Sequence, residues 1–148
     1  MKELFEAMEG LKDNRNGKVV TFDFDNTIVK SFLNKTADGE EHYMFGGVNE
    51  EIIKRIKKFK GSGTTVFIVT SRRNDLEADE SSVKALIKRL GIEVDAVFYT
   101  NGELKAKKLY ELGSRLHYDD DPKEREAIEA FKNLHKDFEI TVKDPNDL

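Results

Sequence analysis

The amino-acid sequence predicts an α/β fold: a three-layer, Rossmann-like domain with a five-stranded, mainly parallel sheet and helices on both faces. The first observation is that short β-branched runs alternate with amphipathic helical segments along the chain. The second is that the strand-like runs are apolar throughout, which is typical of parallel strands buried on both faces. The third is the length of 148 residues, which suits a single domain over residues 1–148.

The amino-terminal elements are a helix, a strand and a hairpin. A short amphipathic helix is predicted over residues 4–11, and the first strand over residues 18–24, which end in polar residues. Residues 30–47 contain the turn signal Asp38-Gly39 and are expected to form a small hairpin flap.

The remainder of the chain repeats a unit of one helix followed by one strand. Helices are predicted at 52–59, 83–90, 106–112 and 127–134, and strands at 64–69, 96–100, 115–118 and 138–142. Gly61, Gly91 and Gly113 end three of the helices. Right-handed crossovers between parallel strands then place helices on both faces of the sheet. Residues 144–148 are expected to be a frayed tail.

Composition restricts the chemistry that is available to the chain. Hydrophobic residues make up 38% and charged residues 36%, a balance typical of globular proteins. The absence of cysteine excludes disulfides, cysteine zinc sites and thiol nucleophiles. A formal charge of −4 provides no overall attraction for nucleic acid. No segment is long and apolar enough to span a membrane, and the first ten residues lack a signal-peptide pattern, so a cytoplasmic location is expected.

Polar and charged side chains follow three of the predicted strands at their carboxyl ends. The groups are Asp23, Asp25 and Thr27 after the first strand, Thr70 to Arg73 after the second, Asp119 to Asp121 after the fourth, and Lys105 in the preceding helix. Since ligands of open parallel sheets bind beyond the carboxyl ends of the strands, these side chains are expected to converge. Clustered carboxylates repel one another, so a bound cation is favoured, and Mg²⁺ suits oxygen ligands.

Two simpler interpretations of the aspartates were compared with this one. Asp119 to Pro122 resembles a helix N-cap followed by a first-turn proline, which needs no ligand. A calcium-binding loop counted from Asp23 requires glycine at its sixth position and glutamate at its twelfth, where this chain has Ile28 and Asn34. The calcium loop is therefore excluded.

In combination, these residues resemble the motifs of haloacid dehalogenase superfamily phosphatases. Members of that family carry Asp-x-Asp-x-Thr after the first strand, Thr or Ser after the second, then a lysine, then an acidic pair. The matching residues are Asp23 to Thr27, Thr70, Lys105 and Asp119-Asp120, in that order, and the resemblance spans about residues 18–138. It implies a Mg²⁺-dependent phosphomonoester hydrolase.

The resemblance also implies a role for each residue. Asp23 would form an aspartyl-phosphate, and Asp25 would act as general acid and then as general base. The implied magnesium ligands are Asp23, the main-chain carbonyl of Asp25, Asp119 and Asp120, and the phosphoryl oxygens would be bound by Thr70 and Lys105. Further candidates for substrate contact at the rim are Thr27, Ser71, Arg72 and Arg73.

Some assignments stay open at this stage. Asn26 stands where the family often has glycine, and asparagine also tolerates the left-handed conformation. Asp121 leaves the acidic pair as either Asp119-Asp120 or Asp120-Asp121, and residues 107 and 108 are lysines that compete with Lys105. His117 falls within a predicted strand and is assigned no catalytic role.

Partners and substrate are open as well. The chain has no long insertion for a cap domain, which predicts an open site for a nucleic-acid end or a nucleotide, or a site for a small metabolite that is closed by an oligomer partner. The basic segment 54–60 is interpreted mainly as a solvated helix face, with nucleic-acid contact as the less favoured alternative. A receiver-like signalling module that accepts a phosphoryl group and a catalytically silent binding domain are the alternative functions.

Overall fold

The computed structural model describes residues 17–35, 37–77 and 82–148, and the helix predicted over residues 4–11 lies outside them. The strands are β1 Val19–Phe22, β2 Val29–Lys35, β3 Glu41–Val48, β4 Thr65–Thr70, β5 Ala96–Tyr99, β6 Leu116–Tyr118 and β7 Thr141–Lys143. The helices of the described ranges are α1 Glu50–Gly61, α2 Val83–Leu90, α3 Ala106–Leu112 and α4 Pro122–Leu134. None of these helices is long and apolar enough to cross a membrane.

The main sheet has five parallel strands in the order β5-β4-β1-β6-β7, which confirms the predicted fold class. In the centre, Phe22 of β1 is in register with Ile68 of β4 on one side and with Tyr118 of β6 on the other. The chain moves outward from β1 to β5 and then returns to the opposite side of β1. This reversal at β1 places the expected ligand position at the carboxyl ends of β1, β4 and β6.

Alternate strand residues point to opposite faces of the sheet, and two of the described helices pack against each face. Phe22 packs in one core together with Ile52 of α1 and Leu86 of α2. Phe67 of β4 packs in the other core, whose members include Leu109 of α3 and Ile128 of α4. The arrangement is the predicted three layers.

The last helix and the last strand differ from the sequence prediction at their bounds. The helix predicted at 127–134 begins five residues earlier, because Asp121 caps it by accepting a hydrogen bond from the Lys123 backbone N–H and Pro122 occupies its first turn. The strand predicted at 138–142 is β7, Thr141–Lys143. Phe138 and Ile140 are buried in the α3–α4 core from the loop before β7, so their apolar character reflects core packing and not strand pairing.

The carboxyl terminus is more ordered than the predicted frayed tail. Pro145–Asp147 form a 3₁₀ turn, in which the Asp144 carboxylate accepts a hydrogen bond of 2.9 Å from the Asn146 backbone N–H. Asp144 also pairs with Arg125 of α4 at 3.6 Å. The tail is ordered by a local cap and an ion pair, and neither produces the apolar pattern from which order is predicted in a sequence.

The hairpin flap forms as predicted from strands β2 and β3. They pair antiparallel from Val29 opposite Val48 to Lys35 opposite Glu41. Gly39 in the turn has a φ of 85°, a backbone conformation that glycine adopts without the steric strain that a Cβ atom would cause. The base of the hairpin is joined to the loop after β1 by a backbone bridge between Asp25 and Val29.

Candidate active site

The loop after β1 turns back sharply and carries the first aspartate motif. The Asp23 backbone N–H donates to the Tyr118 carbonyl at 2.9 Å, which continues the β1–β6 ladder one residue beyond the strand. Asn26 then adopts a left-handed conformation with φ of 63°, as expected for the residue that replaces glycine. This turn brings the side chains of Asp23 and Asp25 to the carboxyl edge of the sheet.

Lys105 connects two aspartates from different strands. Its Nζ donates to Asp23 Oδ1 and to Asp119 Oδ2, each at 2.8 Å, and the residue is only 2% exposed. Burial acts to lower the pKa of Lys105, but the two carboxylates outweigh it and raise the pKa above the usual value. The neighbouring Lys107 is exposed and Lys108 pairs with Glu111 of its own helix. Of these three lysines, the structure brings Lys105 to the aspartates.

Asp23 is buried at the base of the site, with a donor on each carboxylate oxygen. Lys105 binds Oδ1, and the Thr27 hydroxyl donates to Oδ2 at 3.1 Å. Burial raises the pKa of Asp23 well above its usual range, Lys105 opposes this shift, and Asp119 adds to it. Thr27 is fully buried, so it orients Asp23 and does not lie at the rim where the sequence analysis expected a substrate contact.

Asp119, directly after β6, is surrounded by three donors. Its Oδ2 accepts from Lys105 and from His117 Nε2, the latter at 2.9 Å, and its Oδ1 accepts from the Asp121 backbone N–H at 3.0 Å. Burial acts to raise the pKa of Asp119, but His117 and Lys105 outweigh it and lower the pKa to about 2. Asp119 is therefore a carboxylate at every pH near neutrality.

Three carboxylates converge in an arrangement that fits a hard divalent cation. Asp23, Asp119 and Asp120 can each offer one oxygen, and the three oxygens lie within 4.8 Å of one another. Burial raises the pKa of Asp120 and of Asp23, and the negative charge of Asp119 adds to both shifts. A cation among the three carboxylates would stabilise their charged forms. Oxygen-only donors with excess negative charge suit Mg²⁺. Asp121, the alternative member of the acidic pair, instead caps α4.

Asp25 lies outside this cluster because its carboxylate is held by Arg72. Arg72 Nε and Nη2 donate to the two Asp25 oxygens, each at 2.7 Å, and Nη1 donates to Glu77 Oε1 at 3.0 Å. Burial acts to lower the pKa of Arg72, but the two carboxylates raise it. Arg72, which the sequence predicts as a substrate contact at the rim, does not lie there. In the structure it is buried beneath the exposed edge, with its guanidinium 5.1 Å from the Phe24 ring.

The remaining candidates follow β4. Thr70 is buried, and its hydroxyl oxygen accepts from the Arg72 backbone N–H at 3.2 Å. Ser71 is exposed, and Arg73 is exposed with its guanidinium paired to Asp75 of the same loop at 2.7 Å. Of these residues, Ser71 lines the cleft, and Thr70 and Arg73 are not among its lining residues.

A cleft of about 300 Å³ opens over these groups at the carboxyl edge of the sheet. It is lined by Asp23, Asp25, Asn26, Ser71, Lys105, Asp119, Asp120, Asp121, Pro122 and Glu124. The cleft thus joins the nucleophile candidate, the carboxylate cluster and the second aspartate of the motif in one concave surface.

Three further residues hold the site in place and were not predicted from the sequence as site residues. His117 contacts Asp119, Glu124 Oε1 accepts from the Lys105 backbone N–H at 3.1 Å, and Glu77 pairs with Arg72. His117 stands two residues before Asp119, and the period of two along a strand would have placed both side chains on one face. No spacing rule identifies Glu77 or Glu124, because they lie on separate elements from the residues that they contact.

Comparison with known proteins places this geometry in context. Residues 18–106 match the family described as polynucleotide kinase 3 phosphatase. The solved Pnkp1/Rnl/Hen1 complex is 16% identical with a TM-score of 0.57, over 89% of this chain and 47% of that one. The Pnkp1/Rnl/Hen1 RNA repair complex is 16% identical with a TM-score of 0.56, over 86% of this chain and 42% of that one.

A third solved structure is the 3-deoxy-D-manno-octulosonate 8-phosphate phosphatase of Moraxella catarrhalis in complex with magnesium, phosphate and KDO. It is 20% identical with a TM-score of 0.48, over 80% of this chain and 66% of that one. The chain therefore spans less than two thirds of the length of each of these structures. Likeness at such identities establishes the fold alone. No curated protein matches the chain.

Proposed function

We propose that this chain, which belongs to the polynucleotide kinase 3 phosphatase family, hydrolyses phosphate monoesters at nucleic-acid ends through an aspartyl-phosphate on Asp23. One observation carries the chemical part of the proposal. Asp23 is buried at the base of an open cleft, and Lys105 and Thr27 each hold one of its oxygens. A carboxylate fixed in this way is preorganised to attack phosphorus and needs no further rearrangement.

The carboxylate cluster fits a magnesium ion. Asp23, Asp119 and Asp120, together with the main-chain carbonyl of Asp25, would hold Mg²⁺, which would offset negative charge between the nucleophile and the substrate phosphate. The Lys105 ammonium adds positive charge to the same edge of the cleft, where charge spreads over the phosphoryl oxygens during transfer. Thr70 accepts from a backbone N–H, so its own hydroxyl proton can be donated to a phosphoryl oxygen.

The reaction proceeds in two displacements at phosphorus. In the first, an Asp23 carboxylate oxygen bonds to phosphorus while the bond between phosphorus and the ester oxygen breaks. Asp25 gives its proton to that leaving oxygen. In the second, a water oxygen bonds to phosphorus, Asp25 takes the proton of the water, and the bond between phosphorus and Asp23 breaks. The products are an alcohol and inorganic phosphate, and both aspartates return to their starting forms.

Arg72 defines the resting state of Asp25. Two N–H donors of Arg72 bind the two oxygens of the Asp25 carboxylate. For the first step, Asp25 turns one oxygen away from Arg72 and takes up a proton from solvent, which it gives to the leaving oxygen. The proton that it takes from water in the second step is released to solvent when Arg72 binds the carboxylate again. Arg72 thus acts through Asp25, and we assign it as a positioning residue.

The nucleic-acid part of the proposal rests on family membership and on the surface of α1. Lys54, Lys57 and Lys58 are exposed on this helix. The helix begins beside the loop after β1, because the backbone N–H of its N-cap Asn49 donates to the carbonyl of Ile28 at 2.8 Å. The exposed lysines of this helix supply positive charge that the phosphates of a bound strand would contact.

The experiment compares an oligonucleotide that carries a 3′-phosphate with the matching nucleoside 3′-phosphate, in Mg²⁺, and measures the release of inorganic phosphate. We expect a higher kcat/KM for the oligonucleotide, with an advantage that shrinks as salt rises. Replacing Lys54, Lys57 and Lys58 by glutamine should reduce this advantage and leave hydrolysis of the nucleoside unchanged. The matched control replaces three exposed cations of α2, Lys84, Lys88 and Arg89, by glutamine.

Each part of the proposal can fail separately. Equal kcat/KM for the two substrates at low salt would remove nucleic acid as the substrate class and leave the hydrolase in place. One phosphorylation per chain without turnover would contradict the hydrolase and support the alternative function, a receiver-like module that accepts a phosphoryl group. Turnover by Asp23→Asn would overturn the assignment of the nucleophile.

A further inference from the structure

A chain of buried hydrogen bonds runs through the sheet to Asp119. Thr21 of β1 and His117 of β6 are register partners on neighbouring strands, and both are fully buried. The Thr21 hydroxyl lies 2.8 Å from His117 Nδ1 and 2.7 Å from the Ser114 hydroxyl. On its other side, His117 Nε2 lies 2.9 Å from Asp119 Oδ2. The proposed phosphatase mechanism assigns none of Ser114, Thr21 and His117 a role.

The donor in the contact with Asp119 follows from the chemistry of the groups. A carboxylate oxygen can only accept, so His117 Nε2 carries the proton in this contact. The other ring nitrogen, Nδ1, lies 2.8 Å from the Thr21 hydroxyl, a group that can both donate and accept. Thr21 therefore fixes the orientation of the His117 ring, with Nε2 directed at Asp119.

His117 also determines which Asp119 oxygen stays available. Oδ2 accepts from both Lys105 and His117, which occupies its two lone pairs. Oδ1 accepts only the Asp121 backbone N–H among the bonds that the structure describes, which leaves one lone pair for a further partner. If His117 were absent, both oxygens would have a lone pair to offer, and the carboxylate would lose a bond that fixes its plane.

We propose that His117, held in one orientation by Thr21, is a positioning residue that presents Oδ1 of Asp119 to a divalent cation. The inference rests on the proposed function in one respect, namely that Asp119 belongs to a magnesium site. Partners of metal-binding side chains commonly contribute 10–100-fold to metal affinity, by holding the ligand in one geometry. Asp119 is held in a comparable way, by a hydrogen bond from His117, which in turn contacts Thr21.

The test measures Mg²⁺ binding to the full chain by calorimetry, without substrate. We expect His117→Leu, which removes the donor, to weaken Mg²⁺ binding by about 10–100-fold. His117→Gln keeps an N–H donor near the position of Nε2 and should recover part of that affinity. Thr21→Val removes the hydroxyl at nearly constant volume and should weaken Mg²⁺ binding, whereas Thr21→Ser should bind it as the wild type does.

Thr65→Val is the matched control, because Thr65 is also a buried threonine in the sheet but lies at the start of β4. It should leave Mg²⁺ affinity unchanged. If His117→Leu does not fold, the pair Thr21→Val and Thr21→Ser decides alone. Equal Mg²⁺ affinity in that pair, or a lower Tm with unaltered affinity in Thr21→Val, would overturn the proposal.

The outcome is separate from that of the proposed function. A wild-type chain that binds Mg²⁺ and loses affinity in Thr21→Val but hydrolyses no phosphate ester would support this proposal and contradict the hydrolase. If the wild type hydrolyses 3′-phosphates and Thr21→Val binds Mg²⁺ as the wild type does, the hydrolase is supported and this proposal is contradicted. A wild-type chain that binds no Mg²⁺ would overturn the inference directly.

Discussion

Arg72→Met should destabilise the fold far more than the same change at the neighbouring arginine. The side chain of Arg72 is 1% exposed and pairs with Asp25 and with Glu77, whose side chains are 24% and 5% exposed. Methionine keeps an apolar stem of similar length but leaves Glu77 buried without a cation. Removing one partner of a buried ion pair costs about 3–5 kcal/mol, and we take the lower end because water can reach Asp25.

A loss of about 3 kcal/mol corresponds to a decrease in Tm of roughly 6–12 °C for a chain of this size. Urea denaturation followed by circular dichroism measures the free energy of unfolding. Arg73→Met is the control, because Arg73 and Asp75 are 60% and 61% exposed, and exposed pairs contribute about 0–1 kcal/mol. Glu77→Gln in the Arg72→Met background should restore about 1–3 kcal/mol by removing the unpaired charge. Equal losses for Arg72→Met and Arg73→Met would refute the buried ion network.

Three further predictions concern the site itself. Asp23→Asn should abolish phosphate release without lowering the Tm measured in the absence of Mg²⁺. The variant removes a buried carboxylate whose raised pKa shows that its charge is unfavourable there. A large decrease in Tm would contradict this account. Mg²⁺ at about 100 times its Kd should add roughly 2.7 kcal/mol to the free energy of unfolding of the wild type. The same Mg²⁺ concentration should add less in Asp120→Asn. An equal gain in the wild type and in Asp120→Asn would exclude Asp120 as a ligand. Asn26→Ala should cost about 1 kcal/mol more than Asn26→Gly because φ is 63°, and equal urea midpoints for the two variants would argue against a left-handed turn.

The sequence predicted the fold because its strongest signals are local. Apolar periodicity located the four described helices and the central strands, and alternation of strands with helices implied the parallel sheet. The bounds of α4 and β7 were displaced because Asp121 begins the helix by capping, whereas Phe138 and Ile140 are apolar for packing from a loop. The family implied by the motifs is confirmed, since residues 18–106 match polynucleotide kinase 3 phosphatase.

Side-chain partners within the site were harder to predict. The convergence of Asp23, Lys105 and Asp119 follows from the rule that parallel strands end at one edge, so their positions were accessible from sequence. The burial of Arg72 was not, because it depends on Glu77 reaching back from the segment before α2. Contacts between separate elements depend on how those elements pack, which a single sequence does not specify.

The hairpin of β2 and β3 is attached at its base to the loop after β1. Val29, its first residue, shares a backbone bridge with Asp25, and Asn49, just after its last strand, binds the carbonyl of Ile28. The tip at residues 37–40 is exposed and consists of Ala37, Asp38, Gly39 and Glu40. The hairpin is therefore anchored beside Asp25, at the end opposite to its tip. Insertions at this exposed tip would lengthen the hairpin, while residues 23–29 retain their geometry.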